Sequence, residues 1–207
     1  MAKKNKNTGK SPDVVQKSEK QIFKSGLALF APLILVLGII PLIVQLNLVS
    51  MPAEVQRFWT QNYAADFFSW YKSRALILTA IYMVGVFGYY KSQGLKTQLP
   101  QNKSLHLYFG LTAVFALFAL LSTLCSNYKS IAIWGGPERS EGIFMILIYL
   151  LIMLYALWAY TQKPDFKYVI LPLGVLTLIT GFLGAFQFFG HDIFMTSFGQ
   201  KLIVPEV

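Results

Sequence analysis

Residues 142–160 read GIFMILIYLLIMLYALWAY, a run without a charged side chain. An α-helix rises about 1.5 Å per residue, so this run just reaches across the roughly 30 Å hydrocarbon core of a bilayer. Four other apolar runs accompany it, at 27–49, 75–90, 105–125 and 168–189. The run at 75–90 is short, and it reaches spanning length by adding Trp70 and Tyr71, with Lys72 and Arg74 snorkelling to the interface. The sequence therefore predicts an all-α, polytopic integral membrane protein with about five transmembrane helices.

The composition is that of a chain surrounded by lipid. Hydrophobic residues make up 55% of the chain and charged residues 13%, with a mean hydropathy of +0.52. A soluble domain carries about 25% charged residues. These values exclude a soluble enzyme, and they exclude a disordered regulator, which would be poor in apolar residues. The single cysteine, Cys125, rules out an internal disulfide.

Basic residues are distributed unevenly along the chain. The net charge is +9, and seven lysines fall within the first 24 residues, just ahead of the first apolar run. This placement favours the anionic cytoplasmic face of a membrane over nucleic acid. With the N-terminus inside, twelve Lys and Arg lie on the inner side and six on the outer side. The positive-inside rule therefore predicts a cytoplasmic N-terminus.

This topology divides the chain into three parts. Residues 1–24 are a basic cytoplasmic tail, 25–192 form the transmembrane helical domain, and 193–207 are an outer C-terminal segment. The outer loops of the helical domain are 50–74 and 126–141. Within the tail, residues 11–24 fit either a weak amphipathic helix on the membrane surface or a solvated tail.

The first outer loop, 50–74, is rich in aromatic residues. Trp59, Tyr63 and Phe67 recur every four residues, as on one face of a helix, which predicts an interfacial helix lying on the outer leaflet. Two interpretations remain open. The aromatic residues form a structural belt at the interface, or they form the floor of a site for a lipid-linked substrate.

The second outer loop contains Gly135-Gly136-Pro137, a turn that comes just before the fourth apolar run. Arg139 is therefore expected in or beside the first turn of the fourth helix, where free N–H groups and the helix dipole attract anions. A guanidinium at this place suits bidentate contact with phosphate. Glu138 and Glu141 leave a second interpretation open, in which the residues form a structural turn and an ion pair.

Common catalytic and metal-binding patterns are missing from the sequence. His106 and His191 fall on opposite sides of the predicted membrane, and no Cys/His cluster has the spacing of metal ligands, so we expect neither a metal nor a cofactor. His191 and Asp192 are adjacent in a loop, where such pairs are usually surface residues. No charged residue lies in the middle of an apolar run, which argues against an ion-coupled transporter.

Three stretches resemble the O-antigen ligase/O-antigen polymerase family of bacterial membrane proteins. They are DFFSWYKSR at 66–74, WGGPERSEG at 134–142, which is similar to the family's G-x-x-x-R-x-x-G loop, and FQFFGHD at 186–192. The resemblance implies a multi-pass glycosyltransferase of the bacterial cytoplasmic membrane, active in polysaccharide biosynthesis for the cell envelope. Such an enzyme moves a glycan from undecaprenyl pyrophosphate to an acceptor on the outer face. It implies Arg139 as the first substrate-binding residue, with Lys72 and Arg74 as further ones, and membrane lipids and a lipid-linked glycan donor as partners.

The chain also departs from that family. Family members have more spans, and a large later loop supplies the catalytic histidine, which His191 does not match. We therefore expect the chain to correspond to an N-terminal half, and we expect that it does not catalyse transfer alone. The alternative is a non-catalytic membrane scaffold or transporter subunit that works with a protein partner.

Overall fold

Long helices dominate the structure, and one short β-hairpin interrupts them. The computed structural model describes residues 26–51, 53–56, 62–92, 103–137 and 139–204, so the basic tail, Trp59 and Glu138 lie outside the described residues. The helices are α1 Gly26–Leu42, α2 Ala53–Gln56, α3 Ser69–Ser92, α4 Lys103–Cys125, α5 Lys129–Trp134, α6 Ile143–Gln162, α7 Lys167–Phe188 and α8 Ser197–Ile203. The strands are β1 Asn47–Ser50 and β2 Tyr63–Asp66, and a 3-10 turn covers Ile193–Met195.

Within the described residues, four helices are long and apolar enough to cross a membrane. These are α3, α6, α7 and the part of α4 from Leu105 to Cys125. They match four of the five predicted runs, and α3 includes Trp70 and Tyr71 as expected. The mostly helical architecture predicted from the sequence is thus confirmed.

The first predicted run is a shorter helix than expected. The sequence predicts a helix over 27–49, but α1 ends at Leu42 and the chain continues as β1. Pro41 explains the early end, because it lacks an N–H and its ring disrupts the preceding turn of a helix. The helix changes to π geometry at Leu35–Ile39 and to 3-10 geometry at Ile40–Leu42 before it stops. Such a helix is about 25 Å long, less than the hydrocarbon core.

The prediction of an interfacial helix through Tyr63 is wrong for the part of the first loop that is described. Tyr63–Asp66 form β2, which pairs antiparallel with β1, so that Asn47 lies opposite Asp66 and Ser50 opposite Tyr63. The exposure alternates along β2, with Ala64 and Asp66 buried, which is the period of a strand. Pairing with β1 satisfies the backbone groups that a helix would have satisfied internally.

The core lies where α1, α3, α6 and α7 meet. Phe30 stacks on Tyr168 with ring centroids 4.9 Å apart, and the Tyr155 hydroxyl donates to the carbonyl of Leu29 at 2.7 Å. Met83 is completely buried among these side chains. A second buried cluster joins α1, α3 and α6 nearer the hairpin. By contrast, the apolar stretch of α4 has no buried residue, so this helix is the most peripheral of the four.

Three segments meet at one end of the helices: the hairpin, the loop before α6 and the C-terminal helix α8. The N–H of Gln45 donates to the carbonyl of Phe67 at 3.1 Å, and the N–H of Leu46 donates to the carbonyl of Ile203 at 2.9 Å. The loop before α6 joins them through a hydrogen bond from Ser140 to Ser69. These contacts bring together parts of the segments for which the sequence predicts a shared outer side.

Candidate functional site

Asp66 fixes the beginning of α3 at this end of the molecule. Its side chain is only 4% exposed, and its Oδ1 accepts from the N–H groups of Phe68 at 2.9 Å and Ser69 at 2.7 Å. Its Oδ2 accepts from the N–H of Trp70 at 3.0 Å and from the hydroxyl of Ser69. The carboxylate therefore satisfies N–H groups at the helix N-terminus that have no partner within the helix.

These hydrogen bonds also set the charge of Asp66. Burial by itself would raise the pKa of the carboxyl, because it disfavours the ionised form. The donors from Ser69, Phe68 and Trp70 favour the ionised form and outweigh burial, so the pKa of Asp66 lies below its usual value. A negative charge at a helix N-terminus also interacts favourably with the helix dipole.

The loop that carries Arg139 is closed by two glycines. Gly135 has φ +94°, in the region that favours glycine, and a Cβ there would overlap the backbone of Arg139 and Glu141. A Cβ on Gly142 would overlap the carbonyl of Ile133. These are the two glycines of the G-x-x-x-R-x-x-G pattern. They let the loop return on itself at the start of α6.

Arg139 lies in this loop, not in the first turn of α6. The helix begins at Ile143, whereas Arg139 forms a β-bridge with Gly136 and donates its N–H to the carbonyl of Gly136 at 3.1 Å. Of the two predicted positions, in or beside the first turn of the fourth helix, the structure shows the second, with Arg139 three residues ahead of the N-cap Gly142. Among the residues that the structure describes, no carboxylate forms an ion pair with Arg139.

A chain of hydrogen bonds joins the Arg139 loop to the start of α3. The N–H of Ser140 donates to Ser69 Oγ at 3.4 Å, and Ser69 in turn donates to Asp66. Residues 71 positions apart in sequence are held together in this way. The position of Arg139 relative to α3 therefore depends on Asp66.

Lys72 and Arg139 line the same groove, which we call the Lys72–Arg139 groove. It has a volume of about 670 Å³ and lies between α1, α3, α6 and the loop. Lys72 is half-buried, with Nζ 5.4 Å from the centroid of the Phe68 ring, and Arg139 is exposed. Glu141 also lines the groove. The groove also has an apolar wall, which includes Val36, Ile40, Leu76 and Ile152.

Arg74 lies in a neighbouring groove, which we call the Arg74 groove. Its guanidinium carbon is 5.2 Å from the centroid of the Trp70 ring and 5.8 Å from that of Trp134. The groove has a volume of about 170 Å³. Ser73 and Ser140 line both grooves and thus lie between them. The structure therefore separates Arg74 from the other two basic residues that the sequence singles out.

The histidines do not join this site. His191 Nδ1 lies 3.1 Å from the carbonyl of Phe189, and the carboxylate of Asp192 accepts from the N–H of Phe194 at 2.9 Å. Asp192 thus caps the 3-10 turn and is not hydrogen-bonded to His191. Exposed His106 lies in the first turns of α4. Across the described ranges, no three His, Cys, Asp or Glu side chains form a group that could hold a metal ion.

The sequence alone predicts no individual role for Asp66, Ser69 or Ser140. One signal was present, because an aspartate just ahead of an apolar helical run is a common helix-start residue. The link from Ser140 to Ser69 had no signal, since it joins two separate loops.

The chemistry of the site follows from its two grooves. Two cations beside an apolar wall can bind a group that carries several negative charges on a hydrophobic tail. A single guanidinium near two indole rings can bind one negative charge at an aromatic surface. Comparison of the chain with protein-family models, curated proteins and solved structures gives no match.

Proposed function

We propose that this chain is a multi-pass protein of the bacterial cytoplasmic membrane and the donor-binding part of a glycosyltransferase of the O-antigen ligase/polymerase type. In this proposal it holds a glycan linked to undecaprenyl pyrophosphate at the outer face, for transfer to an acceptor. One observation carries the proposal: Lys72 and Arg139, from distant parts of the sequence, line one groove that has an apolar wall.

The groove suits the two parts of a polyprenyl pyrophosphate. A pyrophosphate carries more than one negative charge, and the groove offers two cations, of which the arginine can bind two oxygens at once. The apolar side chains of Val36, Ile40 and Leu76 provide a surface for the first isoprene units. Because Glu141 also lines the groove, the bound phosphates are expected nearer Lys72 and Arg139.

The same two cations would assist glycan transfer. When the acceptor hydroxyl oxygen forms a bond to the anomeric carbon, the hydroxyl proton is released to solvent, the bond from that carbon to the pyrophosphate oxygen breaks, and its electron pair and negative charge pass to the leaving pyrophosphate. Cations fixed beside the leaving group stabilise this charge more than the charge of the bound donor. In the complete enzyme, Arg139→Ala is expected to lower transfer without changing membrane abundance.

Replacing either cation is expected to weaken donor binding. For the purified chain in detergent, we expect Arg139→Ala or Lys72→Ala to raise the Kd for farnesyl pyrophosphate about tenfold or more, since each removes a charge-assisted hydrogen bond. Isothermal titration calorimetry measures this Kd directly. Farnesyl monophosphate should bind more weakly than the pyrophosphate, and farnesol more weakly still.

Lys91→Ala is the matched control, because Lys91 is an exposed lysine on α3 at the opposite end of the helix. It should leave the Kd unchanged. An unchanged Kd for both Arg139→Ala and Lys72→Ala would show that the Lys72–Arg139 groove does not bind the donor. The non-catalytic scaffold would then be the better interpretation.

Cys125 provides a test of the proposed orientation. It is exposed, it is the last residue of α4, and it lies just before α5. If the site faces outward, a membrane-impermeant maleimide should label Cys125 in intact spheroplasts as completely as it does after permeabilisation. Cys125→Ser is the control for background labelling. Labelling that requires permeabilisation would invert the orientation and place the grooves on the cytoplasmic side.

A further inference from the structure

We propose that the Arg74 groove and the apolar surface beneath it bind one anionic phospholipid of the outer leaflet. The phosphodiester would lie at Arg74, and an acyl chain would lie along the surface between α3 and α6. The inference rests on the membrane placement proposed above, and it does not depend on glycan transfer.

Arg74 has the surroundings of a headgroup site. Its guanidinium lies near the rings of Trp70 and Trp134, and aromatic and arginine side chains of this kind gather at the headgroup level of a bilayer. Arg74 is exposed, and within the described part of the chain it forms no ion pair. The serines Ser73, Ser130 and Ser140 line the same groove, so hydroxyl groups accompany the cation.

Below this groove, an apolar surface continues along two helices. Ile77 on α3 and Phe144 on α6 line the Arg74 groove. Seven positions further along each helix, Val84 and Leu151 line a separate apolar groove of about 310 Å³, which we call the lower groove. Residues seven apart lie on nearly the same helix face. Between the two grooves, Ile81 on α3 is 64% exposed and Leu147 on α6 is 39% exposed. We call this continuous surface the α3–α6 seam.

The length of the seam matches one leaflet. From Arg74 to Phe87, which lines the lower groove, the helix rises about 20 Å. Half of a roughly 30 Å hydrocarbon core is about 15 Å, and the headgroup layer adds the remaining few ångströms. An acyl chain that starts near Arg74 would therefore end near Phe87.

Charge distinguishes this occupant from the glycan donor. The Lys72–Arg139 groove offers two cations for a pyrophosphate, whereas the Arg74 groove offers one cation for the single net charge of an anionic phospholipid, a charge that the choline group cancels in phosphatidylcholine. Ser73 and Ser140 lie between the two grooves. The phospholipid would therefore lie beside the donor without occupying the Lys72–Arg139 groove.

Native mass spectrometry of the full chain in detergent tests the proposal, with equal amounts of phosphatidylglycerol and phosphatidylcholine added. We expect one phosphatidylglycerol to bind in about tenfold preference to phosphatidylcholine. Arg74→Gln should abolish the preference and Arg74→Lys should keep most of it. Lys72→Gln, in the other groove, should leave it unchanged. Equal binding of the two lipids to the wild type, or an unchanged preference in Arg74→Gln, would overturn the proposal.

A second pair of variants tests the seam. Val84→Trp fills the lower groove and should weaken binding of phosphatidylglycerol, while Val175→Trp on the exposed face of α7 should not. Equal effects of the two variants on phosphatidylglycerol binding would show that the acyl chain does not lie along the α3–α6 seam. Farnesyl pyrophosphate should not displace the phospholipid, and displacement that depends on Arg74 would overturn the assignment. Loss of farnesyl pyrophosphate binding in Lys72→Ala, with phospholipid binding intact, would show that the two sites are independent.

Discussion

Gly142→Ala is expected to open the Arg139 loop and to lower the free energy of unfolding by about 3 kcal/mol. A Cβ on Gly142 would overlap the carbonyl group of Ile133 and would lie 2.6 Å from the backbone nitrogen of Gly135. These are backbone atoms of α5 and the loop, so they cannot move aside as the end of a flexible side chain would. The loop must open, and Arg139 then leaves its position in the Lys72–Arg139 groove.

Gly135→Ala should have an effect of similar size for an additional reason. At Gly135 the backbone has φ +94° and ψ 171°, a combination essentially limited to glycine. Gly136→Ala is the matched control, since it lies in the same loop, has no atom near the added Cβ and does not have positive φ.

Thermal unfolding of the three variants in one detergent measures the stability difference, and titration with farnesyl pyrophosphate measures the effect on the groove. The two substitutions with overlap should lower both the unfolding temperature and the affinity, and Gly136→Ala should change neither. If all three variants had the same unfolding temperature and affinity, a Cβ at Gly135 or Gly142 would not overlap the backbone as proposed.

Asp66→Ala is expected to destabilise the protein by about 3 kcal/mol as well. The substitution leaves the N–H groups of Phe68, Ser69 and Trp70 without their acceptor in a place where the side chain is buried. It also removes the carboxylate to which the Ser69 hydroxyl donates, and that hydroxyl accepts from Ser140 of the Arg139 loop. Donor affinity should therefore fall even though Asp66 does not line either groove.

Asp165→Asn is the control for this substitution. Asp165 pairs with Lys167 at 2.9 Å near the surface at the other end of the molecule, and exposed pairs contribute little to stability. Urea unfolding of the wild type and the two variants measures the difference. Equal stability of Asp66→Ala and Asp165→Asn would contradict the anchoring role of Asp66.

The lowered pKa of Asp66 gives this prediction a pH dependence. A carboxyl with a lower pKa in the folded state binds its proton more weakly there than in the unfolded chain. Its contribution to stability is therefore complete above the unfolded pKa of about 4 and is lost as the pH falls through the lower folded value. Asp66→Asn should remove this part of the acid sensitivity, so the stability difference between wild type and variant should shrink below about pH 4. A constant difference would mean that the carboxylate has no special stabilisation.

The early end of α1 could have been predicted from the sequence. Residues 27–49 contain no charged side chain, but the regular hydrogen bonding of the helix ends near Pro41, and a proline inside such a run is a signal that the sequence itself shows. The strand Tyr63–Asp66 could not have been predicted in this way, because the four-residue spacing of the aromatic residues around it favours a helix. The segment is a strand because it pairs with β1, which lies more than ten residues away, and pairing between distant segments leaves no local sequence pattern.

The separation of Arg74 from Lys72 could have been predicted from helix geometry. Residues two apart on a helix do not face the same direction, so Lys72 and Arg74 cannot easily contribute to one groove. The partner of each could not have been predicted. Arg139 joins Lys72, and Trp134 joins Arg74, because the loop before α6 folds over the start of α3.

The sequence alone determined the four long apolar helices of the described residues and the concentration of basic residues near the ends of those helices. Hydrophobicity and charge are properties of short stretches, and they can be summed along the chain without knowledge of neighbours. Only the tertiary structure decided that the hairpin, the Arg139 loop and α8 meet at one end, and that Ser69, which donates to Asp66, accepts a hydrogen bond from that loop. Those contacts are hydrogen bonds between segments far apart in sequence, and their partners are chosen by how the helices pack.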